Sequence, residues 1–352
     1  MYKIPCVLMR AGTSKGVFFH KDDLPRDSSE RDSLLLKILG SPSKHQIDGI
    51  GGGDPLTSKV AIISRSTAVD VDIDYFFAQI SIDKPIVNTQ VNCGNILSGV
   101  GPFAIDTGLI KVTEDKTTVR IRNVNTGMIV HATVMTDAGK TRYEGTTAIA
   151  GVPGTASPVY LDFKNCVGKV TGKLLPTGNP INRINKIYVS CVDSAMPVVF
   201  VNAKSFGKTG YESKIELETD IQFMNELENL RIEAAKLLHL NPRIIIPKIA
   251  LVSPARDGGM ICSRYFTPTT CHSTYPITGG ICLSTACFID ESIANSISHI
   301  SENKSLISIE HPEGKLDIHL EVTFSNQEMN VTKAEIVRTC RPLFSGYVYI
   351  KN

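Results

Sequence analysis

Cys93 and Lys59 are the two side chains of this sequence best suited to moving protons. Cys93 stands in the run Asn92-Cys93-Gly94-Asn95, at the predicted start of an apolar helix. A thiol at a helix N-terminus has a lowered pKa and exchanges protons near neutral pH. The alternative is a buried, inert cysteine, the interpretation that suits the other eight cysteines. We therefore treat Cys93 as a candidate acid or base.

Lys59 follows a glycine-rich loop and begins an apolar strand, in GGGDPLTSKVAIIS at 51–64. Burial or a neighbouring cation lowers the pKa of a lysine, and a lysine tuned in this way can remove a proton from carbon. The alternative is a surface lysine that extends from a strand end. Ser58, directly before it, is a candidate substrate contact. The loop lacks the GxxxxGK[ST] order of a phosphate-binding loop, so nucleotide binding is not expected.

A second group of candidates consists of hydroxyl and backbone groups that could bind an anion. Thr13 and Ser14 lie in a polar loop between two apolar strands, where their hydroxyls could bind a carboxylate, unless the loop is an ordinary hairpin turn. Thr278-Gly279-Gly280 opens a second apolar helix, whose free N–H groups also suit an anion. His272, just ahead of that helix, either lines a cleft or caps the turn.

The second half of the chain weakly repeats the first, with five landmarks in the same order at offsets of about 183 to 199 residues. The landmarks are a strand–loop–strand (4–19 and 187–201), a helix (31–39 and 230–240), a lysine-initiated strand (59–64 and 248–253), an extended segment (71–82 and 259–266) and an apolar helix after glycines (93–105 and 278–289). Chance explains one such match more easily than five in order. Lys248, the twin of Lys59, lacks the glycine-rich lead-in and is predicted to be structural.

The repeat predicts an α/β (α+β) fold of two similar, pseudo-symmetric domains. Each domain is expected to wrap a mixed β-sheet around a central helix that is apolar on nearly every side and therefore buried. The turn-rich stretch 174–185 is interpreted as the connection, which gives domains 1–180 and 181–352, with a last strand that could pack on the first domain. The two helix N-termini are then expected to face one cleft and clamp an anion.

Composition excludes several classes of function. Charged side chains balance at 37 basic against 35 acidic residues, so no broad basic field is available for nucleic acid or an anionic membrane. No apolar run reaches the ~18–20 residues that span a bilayer. The nine cysteines are odd in number and scattered, which argues against a disulfide framework and favours the cytoplasm. No metal site is expected, because Cys282 and Cys287 lie in a predicted buried helix.

Six motifs together resemble the PrpF family, which has the diaminopimelate epimerase-like fold. The motifs are RAGTSKGVFF at Arg10, DDLP at Asp22, QIDGIGGGDPLTSKVAI at Gln46, NCGNILSGVGPFAI at Asn92, LLPTGN at Leu174 and RPLFSGYVYI at Arg341. The resemblance runs from about residue 3 to residue 351. It implies a cofactor-independent isomerase of unsaturated di- and tricarboxylates, and the wording at Gly51 and Asp72 is most similar to the 4-oxalomesaconate tautomerase branch. Family alternatives are 2-methylaconitate cis-trans isomerase and methylitaconate delta-isomerase.

The resemblance also implies roles for individual residues. The acid/base lysine and cysteine of the family fall on Lys59 and Cys93. Its anion-binding segments fall on Ser14, Asn92, Gly94, Asn95, Thr278, Gly279 and Gly280. We expect an allylic 1,3-proton shift on a small unsaturated carboxylate, without metal or redox cofactor, and a homodimer as the assembly.

The sequence departs from the family pattern at two places, and its residues also bear on two alternative functions. Ala11 replaces a second glycine of the family, and Ser273-Thr274 replaces an Arg-Ala pair; both changes touch the carboxylate-binding rim and so bear on the substrate rather than on the type of reaction. Thr278 stands where epimerases of this fold carry a second cysteine, which argues against an amino-acid racemase. A non-catalytic accessory protein to an aconitase-like enzyme would need neither Lys59 nor Cys93.

Overall fold

The computed structural model describes residues 1–351 except 90–92, 113, 243–245, 268–269, 300–304 and 326–327, so the predicted site residue Asn92 lies outside the described residues. The chain forms two compact units, Met1–Asp162 with Val337–Asn352, and Phe163–Ile336. The last strand thus returns to the first unit, as the sequence suggested. The first unit ends near residue 162 rather than 180, because the turn-rich stretch is tied to the second unit. There, Asp193 N–H donates to Leu174 O and Ser190 Oγ donates to Pro180 O.

The first unit is a β-sheet with helices packed on both of its faces. Its strands are β1 (Tyr2–Ala11), β2 (Ser14–His20), β3 (Lys59–Arg65), β4 (Ile73–Ile80), β5 (Val87–Asn88), β6 (Lys116–Asn123), β7 (Ile129–Asp137), β8 (Lys140–Thr141) and β9 (Pro158–Lys164), and its helices are α1 (Ser28–Leu39), α2 (Gly94–Leu97) and α3 (Val100–Asp106). β9 ends two residues into the second unit.

Alternation along β2, β3 and β4 separates the two faces of this sheet. One set of side chains, including Val17, Val60 and Ala78, packs against the apolar side of α1. α1 begins where the Asp27 carboxylate accepts the N–H groups of Ser29 and Glu30. The alternate set points to the opposite face, where Phe18 contacts Phe103 of α3. The candidate Lys59 belongs to this second face.

The second unit has the same kinds of element. Its strands are β10 (Asn182–Ile184), β11 (Ile187–Ser194), β12 (Met196–Asn202), β13 (Lys248–Ser253), β14 (Ile261–Thr267), β15 (Thr270–Cys271), β16 (Leu306–His311), β17 (Gly314–Ser325) and the first part of β18 (Glu328–Ile350), and its helices are α4 (Lys214–Thr219), α5 (Ile221–Leu237), α6 (Ile277–Ala286) and α7 (Ile293–Ile297). α5 covers one sheet face through a core that includes Phe223, Leu227 and Leu251. α6 contacts β11, β12 and β17.

The two units follow one order of strand pairing. In the first, β1–β2, β3–β4 and β6–β7 are antiparallel, whereas β2–β3 and β4–β6 are parallel. In the second, β11–β12, β13–β14 and β16–β17 are antiparallel, whereas β12–β13 and β14–β16 are parallel. The repeat seen in the sequence is therefore a repeat of topology, and β3 corresponds to β13.

The central helices of the two units differ. The single helix expected over 93–105 is broken into α2 and α3, whereas α6 runs unbroken. Pro102 explains the break, because it has no N–H to donate to the carbonyl of Ser98. The Ser98 hydroxyl donates to Asn95 O at this point instead. No helix in the described ranges has the length and apolar character needed to cross a membrane.

Candidate active site

Lys59 is held at the junction of three strands. Parallel pairing aligns Gly16 of β2 with Lys59, and antiparallel pairing places Gln79 of β4 opposite it. The Lys59 side chain is 7% exposed, its Nζ donates to Gln79 Oε1 over 2.6 Å, and Nζ lies 5.5 Å from the centre of the Phe77 ring. The alternative of a surface lysine is therefore wrong. A buried amine with one neutral acceptor is suited to proton transfer.

The glycine-rich loop before Lys59 is held by Gln46. Gln46 Oε1 accepts from Gly53 N–H over 2.9 Å and from Ser58 Oγ over 2.7 Å. A Cβ on Gly51 would lie 2.2 Å from that same oxygen, so only glycine permits this approach. Ser58, a predicted substrate contact, is fully buried and uses its hydroxyl to hold this loop. The loop therefore fixes the start of β3.

The hairpin between β1 and β2 provides an unused hydroxyl close to Lys59. Ser14 is 3% exposed, and its Oγ has no hydrogen-bond partner among the described residues. By strand alternation it lies on the same face as Gly16, which pairs with Lys59. A buried hydroxyl that makes no hydrogen bond within the protein keeps its bonding capacity, so this one is available to a bound carboxylate. Ser14 thus fits its predicted role as a substrate contact.

Asn95 is engaged within the protein. Its Nδ2 donates to Thr13 Oγ1 over 3.0 Å, and its Oδ1 accepts from Arg338 Nε over 3.1 Å. The Thr13 hydroxyl is the acceptor in this bond, so its own hydrogen is available for another acceptor. Asn95 therefore orients Thr13 with its side chain, whereas we had expected it to bind substrate. Arg10 likewise donates to Gly12 O and to Thr339, and helps to hold the hairpin.

Cys93 precedes Gly94 at the start of α2 and is the only one of the nine free cysteines that is not buried. Tyr75 on β4 is fully buried, and its hydroxyl has no partner among the described residues. Burial, and then the electrostatic influence of Cys93, raises the pKa of Tyr75 well above its usual range. The Tyr75 and Phe77 ring centres are 6.4 Å apart. Phe77 therefore lies between Lys59 and Tyr75 on one sheet face, and Tyr75 lies near enough to Cys93 for an electrostatic effect.

The predicted site residues of the second unit have structural surroundings of their own. Thr278, Gly279 and Gly280 lie in the first turn of α6, where a Cβ on Gly279 would be 2.4 Å from the Tyr265 ring. These glycines permit close packing of helix on sheet. His272 Nδ1 accepts from Thr274 N–H over 3.1 Å. This bond caps the turn, and the other role foreseen for His272, lining a cleft, stays a prediction.

Lys248 is buried in a different environment from Lys59. Its side chain is 6% exposed, and burial, reinforced by the charge of Arg231 on α5, lowers its pKa to about 8. Glu228 opposes this shift. The causes of the shift are internal groups of the second unit, which agrees with the expected structural role.

Four residues in and around this site were not singled out from the sequence. Gln79, Phe77 and Tyr75 alternate along β4 and so share one face with Lys59. The alternation itself was visible in DIDYFFAQ, but the register that brings Gln79 opposite Lys59 was not. Arg338 was missed because it approaches Asn95 from 243 positions away in the sequence. Among the described residues, no group of three or more His, Cys, Asp or Glu side chains could hold a metal ion.

The fold belongs to the diaminopimelate epimerase-like class. A hydroxyproline epimerase from Agrobacterium vitis, which is 12% identical, superimposes with a TM-score of 0.57 over 98% of this chain and 92% of its own. At that identity the similarity establishes the fold alone. The chain is an isomerase of this class, with a buried lysine and an accessible cysteine in its first unit.

The chain belongs to the PrpF family, described as PrpF protein, which it matches over residues 1–351. The Escherichia coli (strain K12) protein YbhH is 48% identical over 99% of this chain and 100% of its own length. The 4-oxalomesaconate tautomerase of Pseudomonas putida is 42% identical over 99% and 96%. The crystal structure of a methylitaconate-delta-isomerase superimposes with a TM-score of 0.86 at 38% identity, over 99% and 96%. The predicted family, fold and enzyme class are confirmed.

Proposed function

We propose that this isomerase catalyses an allylic 1,3-proton shift on an unsaturated di- or tricarboxylate. The first candidate substrate is oxalomesaconate, after which the Pseudomonas putida relative is named. One observation carries the proposal. The buried Lys59 amine is on the strand next to that of Ser14, whose buried hydroxyl has no partner among the described residues, and the partly exposed Cys93 acts electrostatically on Tyr75 of the next strand, β4. The names of the relatives support the class of substrate.

In the proposed reaction, neutral Lys59 removes a proton from a carbon next to a C=C bond that is conjugated to a carboxylate or keto group. The C–H electrons move into the conjugated system and form a dienolate. Cys93 then donates its proton to the far carbon of the allyl unit. Lys59 ends protonated and Cys93 ends as a thiolate, and proton exchange with water restores both groups. The substrate supplies its own electron-withdrawing group, so the proposal needs no cofactor.

Ser14 and Thr13 are proposed to bind a carboxylate of the substrate. Ser14 contributes the buried hydroxyl, and Thr13 contributes the hydrogen that its bond with Asn95 leaves available. Hydrogen bonds to a charged group are worth ~1.5–3 kcal/mol, enough to orient a small acid. Nine free thiols support a reducing, cytoplasmic location as part of the same proposal.

A methylitaconate-type acid is the second candidate substrate, because a solved isomerase of that name superimposes closely on this chain. The two candidates differ in the group that activates the C–H bond: the oxalo acid carries a keto group, and the methyl acid carries only carboxylates. A side-by-side assay of the two acids distinguishes them. The substrate with the keto group is expected to react faster, because its dienolate is more stable.

The test is proton exchange followed by ¹H NMR. Purified protein is incubated in D₂O with oxalomesaconate, methylitaconate and methylaconitate in separate tubes. We expect double-bond migration and loss of the allylic proton signal with one of them. Lys59→Ala and Cys93→Ala are each expected to slow conversion by at least ~100-fold, the usual contribution of a general acid or base.

Lys21→Ala and Cys6→Ala serve as matched controls, because one changes an exposed lysine and the other a buried cysteine of the same unit. Both are expected to keep the wild-type rate. Full conversion by Lys59→Ala or by Cys93→Ala would refute the assigned roles. Exchange with chiral amino acids, and none with the unsaturated acids, would favour a racemase instead.

A further inference from the structure

We infer that Gln79 is a positioning residue that aligns the Lys59 amine while keeping a carboxylate away from it. The inference rests on the proposed function and adds a residue to it. Gln79 does not touch substrate in this account; it acts through Lys59. Its amide is the hydrogen-bond acceptor for Nζ, at 2.6 Å.

The orientation of the Gln79 amide is fixed by its other bonds. Nε2 donates to Ser58 O over 3.0 Å and to Pro55 O over 3.1 Å. Because both partners are carbonyl oxygens, only the NH₂ group can face them. The amide oxygen must therefore face Lys59. The glycine-rich loop that ends at Lys59 thus also holds the residue that aligns it.

The surroundings of Lys59 explain why this acceptor matters. Gly16 faces it from β2, and Gln79 and Phe77 face it from β4. Two titratable groups, Tyr75 on β4 and Cys93, which acts electrostatically on Tyr75, belong to the same unit. None of the described residues forms a salt bridge with Lys59. Gln79 is therefore the principal polar partner of the amine.

A neutral partner and a charged one would have different consequences for a lysine that must act as a base. A carboxylate within hydrogen-bond distance stabilises the ammonium form and can raise a pKa by ~1–3 units. An amide oxygen accepts the same hydrogen bond without a formal charge. Gln79 therefore supplies direction to the amine and leaves it free to lose a proton.

Two variants separate alignment from charge. Gln79→Glu keeps an oxygen acceptor and adds a negative charge, so the acidic limb of the kcat/KM–pH profile should move upward by at least ~1 pH unit, with activity recovered at high pH. Gln79→Met keeps the length but removes the acceptor. Its kcat should fall by ~10–100-fold at every pH, with KM within about threefold, because misaligned groups lose rate rather than binding.

Thr267→Val is the matched control. Phe266 of β14 pairs with Ile249, the residue after Lys248, so Thr267 takes the place in the second unit that Gln79 takes in the first. It should leave both the rate and the pH profile unchanged. Thermal unfolding of each variant identifies any that fails to fold. If Gln79→Glu does not fold, Gln79→Met alone tests the inference. An unshifted profile in folded Gln79→Glu, or wild-type kcat in Gln79→Met, would overturn the positioning role.

Failure of this inference is distinguishable from failure of the proposed function. If Lys59→Ala still exchanges the substrate proton, the proposed function is wrong. If Lys59→Ala is inactive and the Gln79 variants behave as wild type, only the role of Gln79 is wrong.

Discussion

Lys59 and Lys248 begin corresponding strands in two units that share one order of pairing. Both side chains are buried, yet their partners differ. Lys59 donates to the neutral Gln79, and the neighbouring strand carries Ser14, whose hydroxyl has no partner in the part of the chain that the structure describes. Lys248 lies under the influence of Arg231 and Glu228 on α5. The scaffold therefore gives each lysine its place, and neighbouring side chains decide whether it can do chemistry.

The same contrast holds around the two lysines. Gly16 pairs with Lys59, whereas Val198 pairs with Lys248. Ser14 begins β2, whereas Met196 begins β12. The first unit thus has small or polar groups where the second has apolar ones, which is the pattern expected if only the first unit supplies proton-transfer groups.

The largest expected effect is the loss of activity when Cys93 is alkylated. Cys93 is the only cysteine that is not buried, so N-ethylmaleimide should modify it first in the native protein. We expect one modified site by peptide mass spectrometry and a rate lowered by at least ~100-fold. A substrate of the enzyme should protect the thiol. Full activity after stoichiometric modification of Cys93 would contradict its role as an acid.

The second prediction concerns Lys248 and stability. Its pKa of about 8 lies below the 10.5 of a free lysine, so between these pH values the unfolded chain binds more protons than the native one. The free energy of unfolding contributed by this group therefore rises with pH through that window. Below pH 8 the penalty is complete, at roughly 3 kcal/mol.

Lys248→Met is expected to remove this penalty without impairing catalysis. Urea unfolding should show the variant more stable than wild type at pH 7, by up to roughly 3 kcal/mol, with the difference shrinking towards pH 10. A difference that does not depend on pH would show that Lys248 keeps its usual affinity for protons. A large loss of isomerase activity would show that the second lysine also takes part in the reaction.

The third prediction compares Gly16 with Val198. A Cβ on Gly16 would lie 2.8 Å from Ile96 Cδ1 and 2.9 Å from Lys59 O. Gly16→Ala should therefore displace α2 or β3, destabilise the protein by ~1–3 kcal/mol and lower the rate by ~10-fold or more. Val198→Ala should lower stability by a similar amount and leave the rate unchanged. Equal losses of rate in the two variants would remove the functional distinction between the units.

The smallest expected effect comes from a comparison of Ser14 with Ser284. Both have buried hydroxyls without a hydrogen-bond partner among the described residues. Replacing either by alanine removes an unsatisfied group, so stability should stay the same or rise by ~1 kcal/mol. Only Ser14→Ala should raise KM, by ~10-fold, because only that hydroxyl is proposed to bind substrate. Unchanged KM in Ser14→Ala would argue against the carboxylate contact.

Much of the fold was predictable because its cues are local. β13 begins and ends where the pattern KIALVS predicts, whereas α1 begins at Ser28, three residues before the predicted start at Arg31, because the Asp27 carboxylate caps it there. The break between α2 and α3 also had a visible signal in Pro102, which we had read as part of one helix. No sequence signal marked the boundary between the two units, because the turn residues of 174–185 do not reveal which unit they pack against.

The site was predictable only in part, for a different reason. Lys59 and Cys93 are recognisable because their residue types can transfer protons on their own. Gln79 and Arg338 act through a partner, and the partner is set by strand register or by a contact across 243 positions. Such residues gain a role only when the chain is folded. Conversely, Ser58 and Asn95 have suitable chemistry but use it inside the protein.

The return of β18 to the first unit has a consequence for biosynthesis. β1 has β18 as a neighbour along its whole length, from Tyr2–Ile350 to Ala11–Cys340. Arg338, which holds Asn95, is on the same strand. While the chain is still being translated, the half that emerges first from the ribosome lacks β18. It therefore also lacks the bond from Arg338 to Asn95, the residue that orients Thr13 in the β1–β2 hairpin. The nascent protein is therefore expected to acquire its proton-transfer site only after residues 338–350 have left the exit tunnel.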